Sequence, residues 1–422
     1  MTMPLVPMQA ERSATGWREQ TPAFLAGSAA ATAMVSIAAS QILLGMAIVA
    51  LFAAKTRLRW PPVTAPLAAF AVWTILSLAA SGHIREGWPQ IRKLYVYLTL
   101  FVVYSAVTSL RQVRWIALGS IAGAALSAAW GLEQFARKYA AAKAAHQDFY
   151  TAYIGSRITG FMGHWMTFSG EMMIALLLIG AVLLFARAED RPPVVLLITA
   201  GLLTACGLIA AETRSMWGGA AVGGLYLLWR KNAGLMAILP VAVALLYAAN
   251  VFDLRERMVS IVAPHGDVDS NAHRALLRRV GWEMIKAHPV LGIGPEQVGR
   301  QFDAYLPADV ERPIPASYYT GHLHNIYYHY AAERGLPALA ALLWVLGLAL
   351  KDFLTGLRRL GRNSSAAWML HAAVAVILSV MLAGFFELNL GDSEVLAVFL
   401  ATVACGYVAL ESNTPVRPTD MS

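Results

Sequence analysis

Arg214 stands in the segment AAETRSMWGG, between two apolar runs that are joined by only a few residues. A residue so placed must sit at the mouth of any helical bundle the runs form. A charge at such a depth costs about 2.5–3.5 kcal/mol on insertion scales, which makes it a functional candidate. The structural alternative is an ion pair with the neighbouring Glu212. A second concentration is GHLHNIYYHYAAERGLPA, residues 321–338, where an apolar run begins. It brings His322, His324 and His329 together with Tyr327, Tyr328 and Tyr330. A neutral imidazole is the side chain best suited to take a proton from a hydroxyl near pH 7. Two other readings stay open. The spacing H-x-H-x4-H could ligate a metal, although Glu333 is the one carboxylate nearby, and tyrosines at a membrane interface ordinarily form an aromatic belt. A third pattern, Asp267-Val268-Asp269, has the D-x-D spacing by which sugar-nucleotide transferases hold a divalent cation, but it lies in a Gly-, Asp- and Ser-rich stretch where such a match arises cheaply.

These residues belong to a chain that cannot cover itself with polar surface. Of its 422 residues 58% are hydrophobic and 14% charged, against about 25% charged in an ordinary soluble domain. The mean hydropathy is +0.55. Such a composition dissolves in lipid. The net charge of +8 is then read as topology rather than as a nucleic-acid footprint, because basic residues sort by side of the bilayer. Cys206 and Cys405 both lie within apolar runs, so neither a disulfide framework nor a thiolate metal site is expected. No Walker loop is present.

About ten apolar runs of bilayer-crossing length, roughly 20 residues each, lie between Val63 and Leu410. The stretch Ala23–Ala54 is ambiguous. As one helix it would be about 48 Å long, too long for a hydrocarbon core of about 30 Å. Split near Ser36–Ser40, it gives two helices and twelve in all. Charge favours the split, since every even-numbered connection then carries a basic cluster: Lys55/Arg57/Arg59, Arg111/Arg114, Arg187/Arg191, Arg230/Lys231 and Lys351/Arg358/Arg359/Arg362. This is the positive-inside pattern with both termini cytoplasmic. The expected fold is an all-α polytopic membrane protein of about twelve transmembrane helices. A cytoplasmic tail (1–22) precedes helices 1–9 (23–250). A large external loop (251–323) with one amphipathic helix separates these from helices 10–12 (324–411), and a short tail (412–422) follows. The loop helix is predicted from Arg274 to Ala287, with Leu277, Val280 and Met284 at helical spacing and Arg274 and Arg278 sharing another face. Arg85, Arg92, Lys93, Arg157, Arg214, Arg274, Arg278 and Arg279 all fall on or near the external face, where insertion alone would not favour them. Nearby acids can account for most of the loop charges. Convergent arginines otherwise suit a polyanion, held by bidentate forks.

Three local patterns on this topology resemble the O-antigen ligase/polymerase superfamily of bacterial inner-membrane glycosyltransferases. His324-Asn325 is followed after nine residues by Gly335-Leu336-Pro337, with Ala338 where the family more often has Gly, Thr or Tyr. Arg274 precedes a helix that ends in His288-Pro289-Val290-Leu291-Gly292-Ile293-Gly294. Thr213-Arg214-Ser215 joins two helices. The resemblance covers most of the chain and implies a GT-C-like fold whose active site lies in the periplasm. It implies transfer of a glycan from undecaprenyl pyrophosphate to a sugar hydroxyl of lipid A–core, without ATP, metal or other cofactor. Membrane lipids would be the other partners, with no nucleic acid. In that reading His324 takes the acceptor proton, Arg214 and Arg274 stabilise the departing pyrophosphate, and a single displacement inverts the anomeric centre. Arg278, Arg157, Asn325, Tyr328, Arg92 and Lys93 complete the expected substrate-binding set. A glycan polymerase or a protein O-oligosaccharyltransferase would share the donor and differ in the acceptor. A lipid-linked glycan transporter would show paired halves with broken helices and midplane charges, and no such halves are visible.

Overall fold

The computed structural model describes residues 17–250, 254–263, 271–319, 321–361 and 364–412. The pair Asp267 and Asp269, Arg362 and most of both expected tails lie outside the described residues. The described residues form helices joined by turns and irregular segments, with no strand among them. The helices are α1 (Trp17–Thr32), α2 (Ile37–Ala53), α3 (Thr64–Ser81), α4 (Ile84–Arg92), α5 (Leu94–Ala106), α6 (Leu110–Ala144), α7 (Phe149–Ile154) and α8 (Trp165–Phe185). They continue as α9 (Val194–Ala210), α10 (Arg214–Lys231), α11 (Ile238–Ala249), α12 (Leu254–Val259), α13 (Asn271–Ala287), α14 (Ile326–Arg359), α15 (Ala367–Ala383) and α16 (Ser393–Glu411). Five of them (α3, α6, α8, α14 and α16) are long and apolar enough to cross a membrane, and shorter apolar helices lie at Ile37–Ala53, Val194–Ala210, Ala233–Ala249 and Ala367–Ala383. The chain is a helical membrane protein.

Local chemistry explains the boundaries. The run Ala23–Ala54 does break, and Ser36 opens the second helix by accepting the Ala39 N–H, the ordinary work of an N-cap serine. The first helix begins at Trp17, earlier than the expected tail boundary. Ser109 and Gln112 form a capping box at the start of α6. That helix runs on beyond its apolar part to Ala144, because EQFARKYAAAKA is rich in strong helix formers and Arg137 pairs with Glu133 one turn away.

Helices α8, α15 and α16 are buried nearly all round and form the centre. The approach of α10 to α15 depends on glycine. A Cβ at Gly219 would lie 2.9 Å from the Ser379 carbonyl oxygen, and one at Gly223 would lie 2.9 Å from that of Ala375. Two small residues four apart thus let the backbones meet, a common device in apolar bundles.

A second apolar cluster lies apart from this core. Leu277, Val280 and Met284 of α13 are fully buried against Ile293, Val298, Phe302 and Leu323. The periodicity of the loop helix was therefore legible, although it starts at Asn271, one turn before Arg274. This cluster is latched to α14 at a kink. Gly335 has φ +83° inside α14, and carbonyls released there are taken by the turn after α13. The Ile293 N–H donates to Ala332 O (2.9 Å) and the Gly294 N–H to Glu333 O (2.9 Å), while the Leu336 N–H donates to Pro289 O (2.8 Å). A Cβ on Gly335 would overlap the Val290 carbonyl. The two glycine-containing patterns seen in the sequence are thus the halves of one joint.

Candidate active site

The joint fixes where α14 begins, and α14 begins at the histidines. Asn325 caps the helix through Oδ1, which accepts the Tyr327 and Tyr328 N–H groups (both 2.9 Å), and its Nδ2 donates to Phe385 O at the end of α15 (2.9 Å). Both ends of that side chain are therefore spent on positioning. His324, just before the cap, is held in the left-handed region at φ +46°, uncommon for a residue with a Cβ. Its ring meets a residue the sequence reading missed. Glu387, 2% exposed, accepts from His324 Nδ1 through Oε2 (2.9 Å) and from Arg274 through Oε1.

Glu387 therefore joins α13, the start of α14 and the α15–α16 turn. Burial by itself would raise its carboxyl, but the Arg274 guanidinium and the His324 hydrogen bond hold it down at about 2. An ionised carboxylate only accepts, so the imidazole carries a proton on Nδ1, and in its neutral form the lone pair is on Nε2. Glu387 went unnoticed because it directly follows an apolar run, at the edge of what was read as a helix. A lone acid at such an edge, facing the same side as the other candidates, is the signal that could have found it.

The arginines divide into two groups. Arg214 lies at the first position of α10 and donates to Ser260 Oγ (3.0 Å) and Asn271 Oδ1 (2.7 Å), not to the Glu212 carboxylate. It lines a cavity of about 360 Å³ with Arg274, Arg278, Ser215 and Asn271, floored by Gly218, Ile261, Leu382 and Phe386. Among the described residues no carboxylate lines this groove. Arg274 Nε is buried without a hydrogen-bond partner among the described residues, an arrangement that native structures avoid unless something else satisfies the donor. Arg157 does not line this groove. It donates to the Glu212 carbonyl (3.0 Å) and lies 4.5 Å over the Trp165 ring. Arg257 reaches the same carbonyl from α12 (3.0 Å). Burial, with Arg257 adding to it, lowers the Arg157 guanidinium to about 9. Arg257, Ser260 and Asn271 were also missed, because their roles come from a loop packing that no spacing encodes.

On the other side of Glu387 lies a second cavity, also about 360 Å³, lined by polar residues including Lys93, His164, His322, His329, Glu296, Asn389 and Asp392. The His322 ring lies 4.2 Å from that of His324, and the His273 ring 5.8 Å. Burial, and then the neighbouring His324, lower the His322 imidazole to about 4. The remaining expected binders are placed differently. Lys93 lines this cavity and donates to Gly391 O (3.0 Å), and Arg92 is exposed on α4. The Tyr328 ring packs on the second apolar cluster beside Gly281. Among the described residues no group of three or more His, Cys, Asp or Glu is arranged to hold a metal ion.

Comparison of the chain with curated proteins finds no match. Residues 199–343, which carry Arg214, Arg274, Arg278 and His324, match the family described as O-antigen ligase.

Proposed function

We propose that this protein transfers a glycan from undecaprenyl pyrophosphate to a sugar hydroxyl of lipid A–core, at a site on the periplasmic side of the bacterial inner membrane. The observation that carries this reading is the Glu387 bridge, which holds a basic imidazole nitrogen and an arginine groove against one another. The groove suits an amphiphilic anion, with cationic forks above and an apolar floor below. A lipid pyrophosphate has that character.

In the proposed reaction the acceptor hydroxyl gives its proton to His324 Nε2 as its oxygen bonds to the anomeric carbon. The bond from that carbon to the pyrophosphate oxygen breaks, and its electron pair leaves with the lipid pyrophosphate. Arg214 and Arg274 face the charge that develops there, with Arg278 at the rim. Attack from the face opposite the leaving group inverts the anomeric centre. The pyrophosphate is already an activated leaving group, so neither ATP nor a cation enters the scheme. Glu387 keeps the imidazole in the tautomer the step requires and stabilises the imidazolium that forms, as a buried carboxylate does for a catalytic histidine.

The topology belongs to the same proposal. Twelve crossings would put the Lys55, Arg111, Arg187, Arg230 and Lys351 clusters in the cytoplasm and residues 251–323 outside. Incubation of the purified protein with a lipid-linked glycan and lipid A–core, without ATP and with EDTA, tests the chemistry. Formation of glycosylated lipid A–core is the expected result. Elongation of the lipid-linked glycan instead would make the protein a polymerase, and EDTA sensitivity would overturn the metal-free scheme.

A further inference from the structure

We propose that the polar cavity beside Glu387 is the subsite for the acceptor sugar, and that it takes an uncharged sugar ring rather than an anionic one. This rests on the glycosyl-transfer reading above. The cavity and the arginine groove share a thin wall. Ser215 lines the groove and Met216 the cavity, and likewise Phe386 lines the groove and Glu387 the cavity. The wall is therefore one turn of α10 and the end of the α15 segment, with the His324–Glu387 pair set in it. An in-line displacement needs the nucleophile opposite the leaving group. With the pyrophosphate in the groove, the acceptor hydroxyl must arrive from the other side, where the cavity lies.

Its lining fits a sugar. At about 360 Å³ it falls within the range of about 300–1,000 Å³ typical of small-molecule pockets. Donors and acceptors both face it, as recognition of hydroxyl groups requires. Lys93 donates one N–H to Gly391 O, and an ammonium has three. Asp392 accepts from Thr167 through Oδ2 (2.9 Å) and has a second oxygen. His329 is 3% exposed, and its Nδ1 has no hydrogen-bond partner among the described residues. Charge sets the class of ligand. Glu387 is already paired with Arg274, and the other two carboxylates, Glu296 and Asp392, face one ammonium, Lys93, while burial lowers the His164 and His322 imidazoles and favours their neutral forms. The groove has three guanidinium groups and, among the described residues, no carboxylate in its lining. The groove attracts an anion, and the cavity repels one.

The test uses full-length protein in nanodiscs and delipidated core oligosaccharides ending either in a neutral hexose or in a uronic acid. Saturation-transfer NMR reads acceptor binding, and transfer kinetics read KM for donor and acceptor separately. The neutral oligosaccharide should bind the wild type, and the uronic-acid form at least about tenfold more weakly. Met166→Trp, which fills the cavity, and Asp392→Asn should raise the acceptor KM by about tenfold or more with the donor KM unchanged. An unchanged donor KM shows that each variant is folded. Equal binding of the two oligosaccharides would overturn the charge assignment, and a change confined to the donor KM would overturn the acceptor assignment. Neutral-sugar binding lost in Met166→Trp, in a protein that makes no product with any acceptor, would sink the glycosyl-transfer reading and leave the sugar site standing. Absence of both binding and transfer would sink the two together.

Discussion

The arginine groove and the polar cavity have equal volumes of about 360 Å³ and share a wall, yet their linings are chemically opposed. The groove combines cations with apolar side chains, and one of its buried guanidinium N–H groups lacks a partner among the described residues. The cavity mixes donors with acceptors and carries more carboxylate than ammonium. A reaction between a lipid pyrophosphate and a sugar needs such a division. One compartment must stabilise charge that appears in the transition state, and the other must present a neutral hydroxyl without competing for that charge. Glu387 makes the division possible, since one carboxylate orients Arg274 on the groove side and His324 at the wall.

The largest effect that separates wall from compartments should come from His324→Ala. Loss of a general base lowers turnover by roughly 10²–10⁴-fold, with donor binding near normal, as single-turnover assays beside a binding measurement would show. Comparable losses at His322, His324 and His329 would instead point to ligation of a metal. Arg214→Ala and Arg274→Ala should follow, each lowering turnover on the order of 10²–10³-fold, and Lys should rescue only partly because it lacks the planar fork. Full rescue by Lys at both positions would reduce the groove to a region of general positive potential.

Stability should respond at the wall. The Glu387 carboxyl is held at about 2, below its ordinary 4.5. Its ionised form therefore stabilises the fold above about 4.5, and that contribution disappears as pH falls toward 2. Thermal melts between pH 5 and 3 should show a steeper loss in the wild type than in Glu387→Gln. A smaller effect belongs to the cavity. Burial raises Asp392 to about 6 against the Thr167 hydrogen bond, with Glu394 and Glu387 adding to the rise and Lys93 opposing it. The acceptor KM should climb toward that of Asp392→Asn as pH falls through 6, and the climb should vanish in that variant. The smallest effect is expected at Tyr328→Phe, whose turnover should stay near that of the wild type because the ring serves the apolar cluster.

Much of this was legible in the sequence because hydrophobic periodicity and charge asymmetry are local signals. The break in Ala23–Ala54 was read from the length of the run and the alternation of basic clusters, and the buried face of α13 from spacing. Arg214, Arg274 and His324 stood out as polar residues at apolar boundaries, and the structure brings them around one carboxylate or one groove. The partners were not legible. Glu387 is far from His324 in the chain, and the two meet only because Asn325 ties the start of α14 to the end of α15. Tyr328 and Arg157 fitted the pattern of external candidates, but packing directs one to an apolar cluster and the other to a backbone carbonyl.

The affinity of purified protein for undecaprenyl-pyrophosphate-linked glycan, measured without acceptor, tests the division most directly. Wild type, Arg214→Ala and Met166→Trp form the comparison. The account predicts that Arg214→Ala weakens donor binding by about tenfold or more while Met166→Trp matches the wild type. Equal loss in both variants, or loss in Met166→Trp alone, would contradict it.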